Sequence, residues 1–401
     1  MATFPRRGAL RSGDVAALRH QRPLPIGIAF DHVAFGVELC RSRCTRIQRA
    51  AAVNGAEAGG AQALACIEQG QGDVLAALRQ GTWAALTHTV DVNGSSVHRT
   101  HMTENENPSP QELVDGLLTL LDVKDHGGDR FEGRRKIGGV GRVFGGQVIG
   151  QALASAERTV PDDRPVHSLH AYFLRGGSED HEIDFKVERD LDGGSFSNRR
   201  VVASQLGKPI LNMVASFHKR EDGVYHADAM PTVAPPENLP SEVELRRKYA
   251  DKVPEAMRRQ MLQPRPIELR PLEARHWMDS GPRDPVSHTW FRSVASLPDD
   301  PRIHRAVLAY ASDMTLLGTS TLPHDISWSK GNMMGASLDH AVWFHDDFRA
   351  DEWLLYACDS PWAGRARGFN RGRIYTREGR LVASVAQEGL IRPITRKPRE
   401  G

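Results

Sequence analysis

This sequence of 401 residues has few cysteines, no long apolar run and little net charge, and each of these features excludes a class of protein. Four cysteines indicate a reduced, cytoplasmic protein rather than a disulfide-stabilised secreted one. No apolar run approaches the roughly 18–20 residues of a membrane-spanning helix, so we expect no membrane insertion. A formal net charge of +2 offers no concentrated basic surface, so we expect no nucleic acid partner.

The spacing of Cys40 and Cys44 is that of half a zinc site, because structural zinc is held by cysteine pairs of this kind. No Cys/His pair at finger-like spacing follows them along the chain. Cys66 lies further along the same N-terminal region, and Cys358 stands alone in an apolar run. We therefore expect no metal site.

The first 101 residues differ in composition from the rest of the chain. They contain eleven arginines, no lysine and seven acidic residues, and their hydrophobic periodicity is weak. Three interpretations remain open: an arginine-rich targeting sequence, a disordered extension, or a misassigned start whose true first residue is Met102. We favour the last two, because the segment after Met102 leads directly into a helix start at 109–112. We expect no catalytic residue in this N-terminal extension.

Beyond Met102 the sequence predicts a unit in which strands surround one buried helix. Residues 111–121 place leucines on one side of an amphipathic helix. The segment Val143–Val160 is apolar almost throughout and rich in glycine and alanine, which predicts a buried helix that a sheet can approach closely. Alternating apolar residues and glycine turns predict four strands, at 167–174, 181–189, 196–204 and 210–218. Together these elements predict a two-layer α+β domain over residues 102–220.

The same order of elements returns after a proline-rich, charged segment, residues 221–285. We interpret this segment as a linker or crossover that contains one charged helix near 242–259. In the second unit, residues 286–396, the sequence pattern predicts a strand at 288–295 and then a helix at 303–317. Further strands are predicted at 341–345, 352–359, 368–376 and 381–392. The repetition indicates duplication of a whole domain.

Long phrases of the sequence resemble the type II acyl-CoA thioesterases. They are VFGGQVIGQAL, VHSLHAYFLRGG, DGGSFSNRRVVASQLGKPI, SLDHAVWFH and WLLYACDSPWAGRARGFNRGRIYTREGRLVASVAQEGLIR. The resemblance covers about Leu113 to Arg392 and implies an α+β protein with tandem hot-dog domains, each an antiparallel sheet wrapped around a buried helix. It also implies hydrolysis of an acyl-CoA substrate to a free fatty acid and coenzyme A, without a cofactor. A homo-oligomer, dimer or tetramer, is expected by the same analogy.

The resemblance further implies a catalytic set in the second unit. Asp313 matches the family's aspartate, Ser337 its serine or threonine position, and Gln387 its glutamine. Taken singly, the three have plainer interpretations: a helix cap, a hydroxyl bonded to backbone, and an amide exposed on a strand edge. Aligning the two units with each other matches Gln387 with Ala215 and Ser337 with His167. The first unit is therefore expected to be structural.

Thioester hydrolysis suits these three side chains. A thiol with a pKa of roughly 8.5 leaves with little acid assistance, so no histidine-centred triad is required. An ionised Asp313 can activate water while Ser337 and Gln387 hold its position, with no covalent intermediate and no metal or organic cofactor. Asp339 and His340 are neighbours on a strand and point to opposite faces, so they are not expected to form a dyad.

Two other functions remain open at this point. A hot-dog enoyl-CoA hydratase would pair an aspartate with a histidine near a helix start, and no such pairing is evident. A non-catalytic acyl-CoA binding protein is disfavoured by the presence of all three catalytic matches. Thiol release from a saturated acyl-CoA separates the thioesterase from both alternatives.

The run GRARGFNRGR is a candidate for binding the phosphates of coenzyme A. Guanidinium groups suit phosphate, and the candidates are Arg365, Arg367 and Arg371. A solvated charged face is the alternative, and the same two interpretations apply to Arg199 and Arg200. The Gly145–Gly146 pair resembles a phosphate-binding loop, but we interpret it as allowing tight packing of the buried helix.

We predict that a chain beginning at Met102 hydrolyses acyl-CoA with the same turnover as the full chain, because every matched phrase lies beyond Met102. Thiol release from the two purified proteins, followed with a chromogenic disulfide, tests this. A truncated protein that stays soluble and folded but loses its activity would contradict the prediction.

Overall fold

The structure, a computed structural model, describes residues 107–136, 141–248, 250–252, 258, 261–273, 281–327 and 330–394. All of them lie in the compact unit Met102–Gly401. The predictions for the N-terminal extension, and for the three cysteines within it, lie outside the described residues. None of the helices in the described ranges combines the length and the apolar character that crossing a bilayer requires.

The described elements alternate short helices with longer strands. The helices are α1 (Pro110–Leu121), α2 (Gly145–Glu157), α3 (Glu242–Arg247) and α4 (Pro301–Ser312). Three 3-10 helices lie at Pro236–Asn238, Ala250–Lys252 and Leu317–His324. The first strands are β1 (Val123–Asp125), β2 (Arg130–Gly133), β3 (Val166–Phe173), β4 (Ile183–Asp192), β5 (Phe196–Gln205) and β6 (Lys208–His218). The later strands are β7 (Ile267–Pro271), β8 (Val286–Ser293), β9 (Met333–Ser337), β10 (Asp339–Phe344), β11 (Leu354–Gly364), β12 (Arg367–Thr376) and β13 (Leu381–Pro393).

One antiparallel sheet runs through both halves of the described chain. Its strand order is β1-β2-β4-β5-β6-β3-β10-β13-β12-β11-β8-β7, with β9 also paired to β13. The six strands of the second half, counted from the opposite edge, follow the same order along the chain as the six of the first half. On this basis β1, β2, β4, β5, β6 and β3 correspond to β7, β8, β11, β12, β13 and β10. The halves meet where β3 pairs with β10, with Ala171 opposite His340. The duplicated α+β architecture confirms the tandem fold predicted from the sequence.

Several elements differ from the sequence-based expectation. Strand β7 lies within the segment 221–285 that was predicted as a linker, and its pairing with β8 starts the second half of the sheet at Ile267. It has only five residues and stands among prolines, so local periodicity did not identify it. The strands β1, β2 and β9 were not predicted because they have only 3, 4 and 5 residues. The helix predicted at 303–317 ends at Ser312, and a 3-10 helix follows it.

The buried helices α2 and α4 pack against each other through small residues. A Cβ atom on Gly146 would collide with the backbone carbonyl oxygen of Tyr310, and one on Gly150 would lie 3.3 Å from the carbonyl oxygen of Ala306. The glycines therefore allow the two backbones to approach as closely as they do, which confirms the packing interpretation of this segment. Because the helices are antiparallel, the first turn of α2 lies beside the last turn of α4.

Arg199 on β5 is fully buried instead of lying on a charged surface. Its Nε donates a hydrogen bond to Thr159 Oγ1 at 2.8 Å, and its Nη2 donates to Asp192 Oδ1 at 2.6 Å. The remaining N–H groups donate to backbone carbonyls, among them those of Leu191 and Asn198. Arg199 thus ties β4 and β5 to the turn after α2. A contact between Arg199 and coenzyme A phosphates is excluded.

We predict that Arg199→Met lowers the free energy of unfolding by about 3–5 kcal/mol, because it leaves the carbonyl oxygens of Thr159, Leu191 and Asn198 without their donor. Arg200→Met is the matched control. The Arg200 side chain is 49% exposed and pairs with Asp190 on the surface, so its loss should cost less than about 1 kcal/mol. Urea unfolding followed by tryptophan fluorescence measures both. Equal losses in the two variants would contradict the role assigned to Arg199.

Candidate active site

Asp313 is the C-cap residue that follows Ser312 at the end of α4, and its side chain is 4% exposed. The start of α2 lies directly beside it, because the two helices are antiparallel. The backbone N–H of Gly146 donates a hydrogen bond to the carboxylate, and a Cβ on Gly145 would come within 2.6 Å of Asp313 Oδ2. The positive end of the α2 dipole therefore faces the carboxylate. The first half of the chain thus contributes one wall of this site, a contribution that the sequence did not predict.

The three residues matched by the family resemblance come together in the structure. Gln387 Nε2, on β13, donates to Asp313 Oδ1 at 2.6 Å. Ser337 Oγ, at the end of β9, donates to the same oxygen at 3.2 Å. The pairing of β9 with β13, with Ser337 opposite Gly389, holds the hydroxyl and the amide on the same side of the carboxylate. Side chains separated by 24 and 74 residues in sequence therefore converge on one oxygen atom.

The carboxylate of Asp313 is buried, and no cation among the described residues forms a hydrogen bond with it. Burial raises its pKa to about 6, although hydrogen bonds from Gln387, Ser337 and the Gly146 N–H oppose the rise. Asp313 is therefore mostly ionised at pH 7 and above. A base with a pKa slightly below the working pH is well suited to take a proton from water.

A cavity of about 500 Å³ opens onto Asp313 and Ser337. Its walls come from both halves and from α3 in the connecting segment. The apolar lining residues include Phe144, Leu245, Leu269, Met314 and Leu317. Gln387 is fully buried behind Asp313, and its hydrogen bond to Asp313 connects it indirectly to the cavity. In the described part of the chain, no group of three or more His, Cys, Asp or Glu side chains is placed to hold a metal ion.

His340 lies directly behind Gln387. Its Nδ1 is 3.0 Å from Gln387 Nε2, and its Nε2 is 2.8 Å from Ser312 Oγ. Burial lowers the pKa of this fully enclosed imidazole to about 3. Asp339 points away and accepts a hydrogen bond from the backbone N–H of Glu388 at 2.6 Å. The prediction that Asp339 and His340 form no dyad is confirmed, but the contact between His340 and the site was missed.

The arginines proposed to bind coenzyme A phosphates lie away from the cavity lining. Arg367 pairs with Glu388 at 3.2 Å, and Arg371 pairs with Asp359 at 2.6 Å. Arg365 is exposed in the turn between β11 and β12. The cations that do line the cavity are Arg283 and Lys330. Arg365, Arg367 and Arg371 are therefore not among the residues that line the cavity beside Asp313.

The strand registers extend the sequence alignment of the two units to neighbouring strands. The alignment matches Gln387 with Ala215; Gln387 lies opposite Asn370, and Ala215 lies opposite Arg199. Leu169 pairs with Ala215 and so corresponds to His340. Ser337 lies on β9, outside the strands whose registers are compared, so its match with His167 stays a prediction.

The end of α2 also carries a carboxylate: Glu157 is its last residue, whereas Asp313 is the C-cap residue of α4. Glu157 is buried and forms an ion pair with Arg305 at 2.8 Å. The first half therefore has a buried carboxylate near this helix end, but without the hydroxyl and the amide. An arginine neutralises the carboxylate instead.

Comparison with known protein families places both halves in the same group. Residues 134–218 match the model described as "Acyl-CoA thioesterase N-terminal domain". Residues 267–390 match the model described as "Acyl-CoA thioesterase". The second match contains Asp313, Ser337 and Gln387, and the first contains the start of α2.

Individual proteins are similar over nearly their full length. Human acyl-coenzyme A thioesterase 8 is 40% identical over 284 residues, which are 69% of this chain and 88% of that protein. The crystal structure of an acyl-CoA thioesterase II, TesB2, from Mycobacterium marinum is 41% identical, with a TM-score of 0.57 over 69% of this chain and 98% of that one. A hot-dog protein of unknown function from Alicyclobacillus acidocaldarius, 18% identical with a TM-score of 0.55 over 68% of this chain and 97% of that one, shows the fold alone.

We predict that Asp313→Asn raises the free energy of unfolding at pH 8 by about 1–3 kcal/mol. The pKa of Asp313 is raised in the folded state, so ionisation above pH 4 favours the unfolded chain. The stability that the protonated form provides is complete below about pH 4 and is lost as the pH rises through about 6. The gain from the substitution should therefore disappear near pH 4.

Urea titrations from pH 4 to pH 8 measure this difference, and Asp351→Asn is the control. Burial raises the pKa of Asp351, but hydrogen bonds from Arg349 and the Leu297 N–H lower it by more, so it lies below its usual value. Asp351→Asn should therefore destabilise the protein at pH 8. If Asp313→Asn also destabilised the protein at that pH, the carboxylate would not carry the burial cost inferred here.

Proposed function

The chain belongs to the acyl-CoA thioesterase family and is a hydrolase of thioester bonds, and we propose that it cleaves fatty acyl-CoA with a water molecule activated by Asp313. The products are a free fatty acid and coenzyme A. The observation that supports this mechanism is the convergence of the Ser337 hydroxyl and the Gln387 amide on one carboxylate oxygen at the cavity wall.

In the proposed mechanism Asp313 accepts a proton from water as the oxygen attacks the thioester carbonyl. Ser337 and Gln387 keep the carboxylate in one orientation, which lowers the entropic cost of reaching the transition state. The thiolate of coenzyme A then leaves with little acid assistance, because a thiol has a pKa of roughly 8.5. The acyl carbon forms its new bond to the oxygen of water as its bond to sulfur breaks, so no covalent intermediate with the enzyme forms.

The developing negative charge on the thioester oxygen needs a donor, and the start of α2 is the proposed source. Gly145 lines the cavity at the first position of that helix. The first N–H groups of a helix have no acceptor within the helix, and its dipole is positive at this end. Donors fixed before the reaction stabilise an oxyanion without reorganisation.

The acyl chain is proposed to occupy the apolar part of the cavity. Phe144, Leu245, Leu269 and Leu317 supply the aliphatic and aromatic walls that such a chain requires. Binding of the coenzyme A phosphates by Arg365, Arg367 and Arg371 stays a prediction. Arg365 is favoured among them, because the other two face carboxylates.

Assembly and location also stay proposals. A dimer or tetramer formed through the sheet is supported by apolar side chains exposed on its outer face, among them Tyr172 and Val214 on the neighbouring strands β3 and β6. A cytoplasmic location and a role in lipid metabolism are proposed from the low cysteine content and from the fatty acyl substrate.

We predict that Asp313→Asn lowers kcat by about 10³-fold or more, because an amide cannot accept the proton from water. Asp339→Asn is the matched control. It changes a half-buried carboxylate on the neighbouring strand that bonds only the Glu388 N–H, and kcat should stay within about fivefold of the unchanged protein.

Thiol release from a series of saturated acyl-CoAs measures both variants, and circular dichroism confirms that each is folded. Near-normal turnover in a folded Asp313→Asn variant would exclude Asp313 as the base. Loss of activity in both variants would leave the assignment to Asp313 without support.

A further inference from the structure

His340 contacts the side chain of Gln387 but does not form a hydrogen bond with Asp313 itself. The imidazole is fully buried, and its Nδ1 lies 3.9 Å from Asp313 Oδ1, too far for a hydrogen bond. Gln387 stands between them, with its Nε2 at 2.6 Å from Asp313 and 3.0 Å from His340. Any influence of His340 on the carboxylate therefore passes through the amide of Gln387.

The hydrogen bonds of this cluster have one consistent direction. An ionised carboxylate only accepts, so the NH₂ group of Gln387 must face Asp313. Its second N–H then points to His340 Nδ1, which must be the unprotonated nitrogen of a neutral ring. The proton of the imidazole is consequently on Nε2, which donates to Ser312 Oγ at 2.8 Å. Ser312 in turn donates to the carbonyl oxygen of Ala309 at 2.9 Å.

The hydrogen bonds that link Ser312, His340 and Gln387 matter most when Asp313 has accepted a proton. While Asp313 is ionised, its charge alone favours the NH₂ group of Gln387. A protonated Asp313 offers a donor as well as an acceptor, so a flipped amide with its oxygen toward Asp313 becomes competitive. The fixed acceptor on His340 keeps the NH₂ group in place, since a flip would set the amide oxygen against the imidazole nitrogen.

We propose that His340 and Ser312 are positioning residues that hold the amide of Gln387 with its NH₂ group toward Asp313 throughout the reaction. This inference rests on the proposed function of Asp313. The comparison of the two halves supports it, because the alignment matches Gln387 with Ala215 and the strand registers then match His340 with Leu169. The histidine accompanies the amide in one half, and both are absent from the other.

The remaining groups around the cluster do not supply an alternative proton path. From β11, Tyr356 donates its hydroxyl proton to the carbonyl oxygen of Ser312 at 3.0 Å, and Cys358 lies beside it. Burial raises the pKa of Tyr356 well above its usual value, so it stays protonated. The pH dependence of the site is therefore assigned to Asp313, which faces the cluster from the end of α4.

The test compares two substitutions of His340 in the full chain. His340→Phe removes the acceptor for Gln387, so kcat should fall about 10–100-fold while KM stays within about twofold. The acid limb of the kcat/KM profile, expected near pH 6, should move to higher pH, because the hydrogen bond from Gln387 lowers the pKa of Asp313. His340→Asn offers a carbonyl oxygen near the place of Nδ1 and should restore much of both properties.

His304→Phe is the matched control for loss of a buried histidine. His304 is 3% exposed, lies on α4, and accepts a hydrogen bond from the Ala350 N–H at 3.0 Å, away from the cavity lining. Its replacement should lower the melting temperature and leave the acid limb in place. If His340→Phe does not fold, Ser312→Ala provides the same test and should move the acid limb in the same direction by a smaller amount.

A double substitution shows whether the effect passes through Gln387. In a Gln387→Ala background, His340→Phe should move the acid limb no further. An unmoved acid limb in folded His340→Phe, or an equal further shift in the Gln387→Ala background, would overturn the inference.

Asp313→Asn assayed in parallel distinguishes this failure from that of the proposed function. If Asp313→Asn retains turnover, the proposed base is wrong and the inference about His340 fails with it. If Asp313→Asn is inactive and His340→Phe has the profile of the unchanged protein, only the inference about His340 fails.

Discussion

The structure around the cavity is organised by one buried negative charge, the carboxylate of Asp313. An ion taken out of water is costly unless hydrogen bonds replace its hydration. Here the replacement comes from the Ser337 hydroxyl, the Gln387 amide and the Gly146 N–H, which belong to β9, β13 and α2. The balance leaves the pKa of Asp313 near 6, so the group is charged at neutral pH yet still basic. Removing one donor would raise this pKa, and adding a cation would lower it and weaken the proposed base.

The duplicated fold buries a carboxylate near the end of each central helix and stabilises the two in different ways. At the end of α4 the carboxylate is held by neutral donors and faces a cavity. At the end of α2 Glu157 forms an ion pair with Arg305 instead. On the strand that corresponds to β12, the fully buried Arg199 takes the place of Asn370. The buried carboxylate at the end of α2 is thus paired with an arginine from α4, whereas the carboxylate at the end of α4 is held by neutral donors.

The first half nevertheless contributes directly to the proposed active site. The close approach of α2 and α4 depends on glycines at positions where any side chain would collide with its neighbours. That approach brings Gly145 and Gly146 to Asp313 and places the positive end of a helix beside the buried charge. Neither half has the complete proposed site without the other, because the proposed base comes from one and the helix start from the other. The covalent linkage of the two domains therefore has a consequence for the proposed chemistry as well as for folding.

Local pattern was sufficient to predict the two buried helices, most of the long strands and their duplication, because apolar periodicity is set by neighbours along the chain. Family phrases identified Asp313, Ser337 and Gln387 in sequence order. The pairing of β10 with β13, which places His340 beside Gln387, was decided only by tertiary structure. So were the short strand β7, the helix start at Gly146 and the separation of the arginines from the cavity. Strand register and helix contact join residues far apart in sequence, and periodicity within one segment carries no information about such partners.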